Sequence, residues 1–106
     1  MADIATTKLM ENDKVVVWEM VLEPGESTGM HTHENSYIIQ ALEGAKMEAF
    51  DENGENRSEF EIPSGATYWV EVADGEIDLN GVRISATHDA KNIGDTRYRE
   101  ILVEIK

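Results

Sequence analysis

Turn chemistry interrupts this chain at short intervals from end to end, and that punctuation limits what it can fold into. Pro24-Gly25, Glu43-Gly44, Asn53-Gly54, Pro63-Ser64-Gly65, Asp74-Gly75, Asn80-Gly81 and Asn92-Ile93-Gly94-Asp95 each bound a short run rich in β-branched or aromatic residues. Asn53-Gly54 is a strong hairpin signal, because both positions of a tight two-residue turn need positive φ. The runs alternate at period two. Trp18, Met20 and Leu22 share one face of Val15 to Leu22, and Met47 and Ala49 share one face of Lys46 to Phe50. In Tyr98 to Lys106, Ile101, Val103 and Ile105 fall on one face and Glu100 and Glu104 on the other. Gly29 to Leu42 reads as one longer strand. No segment carries a 3.6-residue apolar stripe over three turns, so the expectation is an all-β sandwich or barrel.

A chain of 106 residues argues for a single domain with one core. It has 22 acidic residues against nine basic ones, a formal charge of −13. Nucleic-acid binding and attachment to an anionic membrane are not expected, because both need a basic footprint. No apolar run approaches the roughly 20 residues of a membrane span. There is no cysteine, which excludes disulfides, thiolate ligands and cysteine nucleophiles. Met1 to Lys8 shows no basic region followed by an apolar run, and a cytoplasmic protein is expected.

The three histidines carry the chemistry. His31 and His33 stand at i and i+2, a spacing that puts both rings on one face of a strand, and His88 lies four residues before Asn92. Three imidazoles converging on one point suit a borderline divalent metal. Tyr37 shares the parity of the pair and can serve as ligand, base or hydrogen-bond donor, or pack in the core. Glu34, of opposite parity, is not expected to ligate. Asp89 and Glu100 are candidate acceptors for the outer ring nitrogens. Tyr68 and Trp69 are read as barrel packing, and Met20, Met30 and Met47 as core filling.

Gly25, His31-Thr32-His33 and Gly44 resemble the first motif of the cupin superfamily: a glycine, His-x-His, a glutamate and a second glycine at set spacing. Pro63-Ser64-Gly65 and His88-x-x-x-Asn92 resemble its second motif. Two positions depart from the pattern. Tyr37 occupies the glutamate slot, and Tyr68 stands where the second motif's histidine would follow Gly65, with His88 about twenty residues later. The segment from Glu71 to Ala86 is therefore read as an inserted β-hairpin. The Gly29-x-His31-x-His33-x-x-x-Tyr37 arrangement and the Val103-Glu104-Ile105-Lys106 ending are most similar to small cupins of the β-alanine degradation type.

That resemblance implies a single cupin domain over 1–106, a jelly-roll barrel from 13 to 106 with residues 1–12 as an N-terminal arm. It implies one divalent metal held by His31, His33 and His88, Fe(II) first, with Ni, Zn, Cu or Mn as alternatives, and Tyr37 as the candidate catalytic residue. The implied activity is a three-histidine oxygenase or a lyase acting on a small organic acid or diketone, with an anionic substrate drawn to the metal. The alternative is a non-catalytic metal- or ligand-binding cupin, a sensor or accessory protein. A homodimer is expected, paired through an edge strand, with Val15 to Leu22 and Tyr98 to Lys106 as the suited segments.

Overall fold

The computed structural model describes residues 2–106, and Met1, the first residue of the expected arm, lies outside them. Eleven strands account for the regular structure: β1 Thr7–Glu11, β2 Val15–Leu22, β3 His31–Thr32, β4 Tyr37–Glu43, β5 Ala45–Asp51, β6 Ser58–Ile62, β7 Thr67–Ala73, β8 Glu76–Leu79, β9 Val82–Ser85, β10 Thr87–Asn92 and β11 Tyr98–Ile105. They form a seven-stranded sheet, β1-β2-β11-β4-β7-β8-β9, and a four-stranded sheet, β3-β10-β5-β6. All pairings are antiparallel. The inward residues of both sheets make one core, including Met20, Leu22, Ile39, Met47, Val70, Ile77 and Leu102. This is the jelly-roll arrangement expected from the alternation and turn spacing.

The inserted segment is present as a ribbon. β7 turns at Asp74-Gly75 into β8, and β8 turns at Asn80-Gly81 into β9. Asp74 and Asn80 have φ of 54° and 49°, and the glycines after them 75° and 90°. Consecutive positive φ values define the tight turn whose twist matches the flanking strands. Ile77, Leu79 and Ile84 face inward from the ribbon and join the core.

Three expectations are corrected, and a fourth is given its direction. Gly29 to Leu42 is not one strand: β3 lies in the small sheet and β4 in the large one, and residues 33–36 cross between them. The crossing has no proline or glycine to announce it. Val15 to Leu22 and Tyr98 to Lys106 offer no free edge, because β2 lies between β1 and β11, and β11 between β2 and β4. The added edge strand is β1, drawn from the stretch read as an arm. Trp69 does not pack in the barrel: it is 52% exposed on the outer face of β7, while Tyr68 packs partly against the core. On β11 the buried parity is Tyr98, Glu100 and Leu102, so the acidic face lies inside and Ile101, Val103 and Ile105 line the outer face.

Gly44 has a steric reason to be glycine. A Cβ there would lie 2.2 Å from the Ile62 carbonyl oxygen and 2.6 Å from the Pro63 carbonyl carbon. The turn between β4 and β5 thus presses on the Pro63-Ser64-Gly65 turn, and the Ser64 hydroxyl accepts the Gly44 N–H at 2.8 Å.

Candidate metal centre

β3 and β10 pair so that His31 stands directly opposite His88. His33 follows as the chain leaves β3, and its N–H donates to the Ala86 carbonyl at 2.9 Å. Three rings from two remote stretches meet this way. Their centroids are 4.8 Å apart for His31–His33, 4.6 Å for His31–His88 and 5.1 Å for His33–His88. One nitrogen from each lies within 4.8 Å of the others, and all three residues are buried. The expected ligand residues are therefore brought together, although His33 reaches the cluster from a crossing segment and not by strand alternation.

The hydrogen bonds orient the rings. His31 Nδ1 lies 2.8 Å from the Gly29 carbonyl and His88 Nδ1 2.7 Å from the Ser85 carbonyl. A carbonyl can only accept, so each Nδ1 carries the proton and each Nε2 keeps a lone pair. Behind His31, the Thr28 hydroxyl lies 3.2 Å from Nδ1, and Asp89 accepts the Gly29 N–H at 3.2 Å. Asp89 thus supports His31 at one remove, while backbone carbonyls hold the rings directly.

The donor set fits a metal ion. His31 Nε2 and His33 Nε2 are 3.1 Å apart. Two nitrogens each about 2.1 Å from one ion at a right angle would be separated by about 3.0 Å. Burial holds all three imidazoles below their ordinary range, His88 to about 4 and His33 to about 2, where its histidine neighbours add to the effect. All three are neutral near pH 7, the state a ligand needs. His33 Nδ1 is buried with no hydrogen-bond partner. This atom lacks a partner whichever ring nitrogen carries the proton, so the fit rests on the facing His31 and His33 Nε2 atoms. A cation satisfies the facing lone pairs directly.

Tyr37 is buried and stacks on His33, centroids 4.4 Å apart and planes 22° from parallel. Burial, and after it the nearby Glu100, pushes its phenol well above the usual range. The Tyr37 ring packs face-on against His33. Glu34 is exposed, as expected. Tyr68 stays outside the cavity that the histidines line.

That cavity, about 50 Å³, runs into the barrel and is otherwise mostly apolar. Tyr98, which the sequence did not single out, also lines it, and so does Glu100, expected as an acceptor for a ring nitrogen but bonded to the Tyr98 hydroxyl and to no histidine. Glu100 is 3% exposed, and the Tyr98 hydroxyl donates to its Oε1. Burial lifts the Glu100 carboxyl to about 7, against the opposing pull of the Tyr98 hydrogen bond. The signal was the shared parity of Tyr98, Glu100 and Leu102, hidden by a second apolar parity on the same strand.

No family model matches the chain, and no curated protein matches it. Solved structures do. A cupin domain from Bordetella pertussis Tohama I aligns with a TM-score of 0.69 at 24% identity, over 94% of this chain and 90% of that one. An RmlC-like cupin family protein with a double-stranded β-helix fold from Methanocaldococcus jannaschii gives 0.66 at 15%, over 92% and 75%. A predicted oxalate decarboxylase from Thermotoga maritima gives 0.52 at 22%, over 85% of this chain and 64% of that one. The chain therefore has the cupin fold, with a three-histidine cluster suited to a divalent metal inside the barrel.

Proposed function

We propose that this protein is a metal-dependent enzyme acting on a small organic acid or diketone, by three-histidine oxygenase or lyase chemistry. The observation that carries the reading is the convergence of three buried, neutral imidazoles at the wall of a small, mostly apolar cavity. His31, His33 and His88 would hold the ion, Fe(II) first. A divalent ion there would supply Lewis acidity and attraction for an anionic oxygen, undiminished by a ligand carboxylate. Tyr37 keeps His33 in place and offers a hydroxyl donor to a bound ligand. The mostly apolar walls lower the local dielectric and strengthen each polar contact. Glu100, held by the Tyr98 hydroxyl and raised to about 7 by burial, adds a carboxyl able to take up or release a proton near neutrality, which favours an enzyme over a purely binding protein. The tyrosine in the glutamate slot and the chain's ending support placement near the β-alanine degradation type of small cupins.

The test is elemental analysis of purified protein and of His88→Ala, followed by anaerobic Fe(II) loading and assay with thiols, β-diketones and short carboxylates. One equivalent of metal in the parent, loss in the variant, and turnover or oxygen uptake with one substrate class are expected. Metal binding with tight ligand binding and no chemical change would leave the sensor or accessory reading instead.

The same proposal includes a homodimer and a cytoplasmic setting, the latter in keeping with a chain that needs no oxidising compartment. Cross-strand register aligns Met10, Val17, Val103, Ile38 and Trp69 in one row over five strands of the large sheet's outer face. Beside the row, Glu19 is neutralised by Arg99 at 2.8 Å. Two copies of a chain carrying −13 can approach closely only where their faces are uncharged, and this band is such a face. The occupant proposed for it is a second copy.

A further inference from the structure

Glu100 is a buried carboxyl without a cation. Its one side-chain partner among the described residues is the Tyr98 hydroxyl. Seven of the nine basic residues pair with other carboxylates (Lys8, Lys46, Arg57, Arg83, Arg97, Arg99 and Lys106), and Lys14 and Lys91 are exposed. Burying a carboxyl in an apolar wall is costly, and an alkyl side chain of similar size would cost nothing. The structure nonetheless places this carboxyl in the wall of the cavity that His31, His33 and His88 also line, and outside their cluster of donor atoms. The cavity thus has two polar stations, joined by apolar surface from residues such as Ile39, Met47 and Leu102. A ligand that satisfies both must be short and carry a polar group at each end.

We propose that Glu100, positioned by Tyr98, is the second anchor of the cavity, and that the ligand is a short hydroxycarboxylate whose carboxylate meets the histidine site and whose hydroxyl meets Glu100. This deepens the proposed function and rests on its metal reading. A hydroxyl suits the far station better than an ammonium. The Glu100 carboxyl sits near its point of half-protonation at neutral pH, and a hydroxyl pairs with either form by donating or accepting. An ammonium pairs only with the anion, and the apolar wall does not solvate it. A second carboxylate would face Glu100 with like charge.

The experiment measures binding of 3-hydroxypropionate, propionate and malonate to the Zn(II)-loaded protein by titration calorimetry at pH 7.5, with zinc content determined in parallel. The expected order is 3-hydroxypropionate tighter than propionate by about tenfold or more, the value of one hydrogen bond to a charged group, with malonate weakest. Glu100→Leu keeps its zinc, loses the preference to within about threefold and binds propionate as well as the parent. Glu100→Gln, which retains an acceptor, recovers part of it, and Tyr98→Phe weakens it without abolishing it. Should Glu100→Leu fail to fold, Glu100→Gln and Tyr98→Phe decide the matter. An unchanged preference in zinc-replete variants overturns the inference and leaves the metal site standing. Tighter binding of malonate, or of none of the three acids, overturns it as well. A parent chain that takes up no zinc removes both.

Discussion

Glu100 couples the interior of the barrel to pH. Its carboxyl is raised from 4.5 to about 7 by burial, so from pH 4.5 upward the unfolded chain gives up this proton while the folded one keeps it. The contribution to stability is whole below pH 4.5 and is lost as pH rises through 7, on the order of 3 kcal/mol in all. The imidazoles run the other way, because their depressed values make the unfolded chain take protons first below about pH 6.5. Subtracting profiles isolates the carboxyl: urea unfolding of metal-free Glu100→Gln and parent should show the variant gaining on the parent between pH 4.5 and 8. A flat difference would mean that the carboxyl ionises freely in the fold. A second expectation concerns the metal. A chelator should lower the melting temperature of loaded parent protein and leave that of His88→Ala unchanged, since a ligand bound at a thousand times its Kd adds about 4 kcal/mol. The histidines were legible because only three exist and their spacing is specific. Glu100 was legible only as an acceptor for a histidine; its place in the cavity wall beside Tyr98 was not, because it is one of 22 acidic residues, on a strand with apolar side chains at both parities.

Among the elements, the turn between β4 and β5 is the least forgiving. Gly44→Ala forces a Cβ against backbone at 2.2 Å, where no side chain can swing away. Overpacking of that kind costs about 1–3 kcal/mol, and more is expected here because two turns must separate. Chemical denaturation would report it, and a loss below about 0.5 kcal/mol would show that the turns part easily. The glycine itself was visible from its place in the motif, but its reason lies in a turn some twenty residues on. The ribbon β7–β9 was legible from Asp74-Gly75 and Asn80-Gly81. The break between β3 and β4 was not, since residues 33–36 contain no turn-forming pair and both flanking strands keep an inward parity. His31 and Tyr37 are therefore on different sheets, and the stacking of Tyr37 on His33 is a contact across the barrel's corner.

At the scale of the whole molecule, the outer apolar row and the net charge act together. Sedimentation at micromolar concentration should give two chains per particle, with Val103→Asp shifting the population to one chain while zinc uptake is unchanged. A single chain in the parent removes the dimer. The order of the sheets was beyond the sequence, because the outer row reads as a second core face until β2 and β11 are known to lie inside the large sheet.

The ribbon's last residues carry a consequence for how the centre behaves. The Ser85 carbonyl fixes the His88 ring and the Ala86 carbonyl fixes the His33 backbone, so neighbouring residues set the bearings of two of the three donors. Ser85 ends β9, the edge strand of the large sheet, and Ala86 follows it. Two of the three donors thus take their bearings from one end of one edge strand, so a substitution that displaces Ser85 and Ala86 is expected to disturb His88 and His33 together.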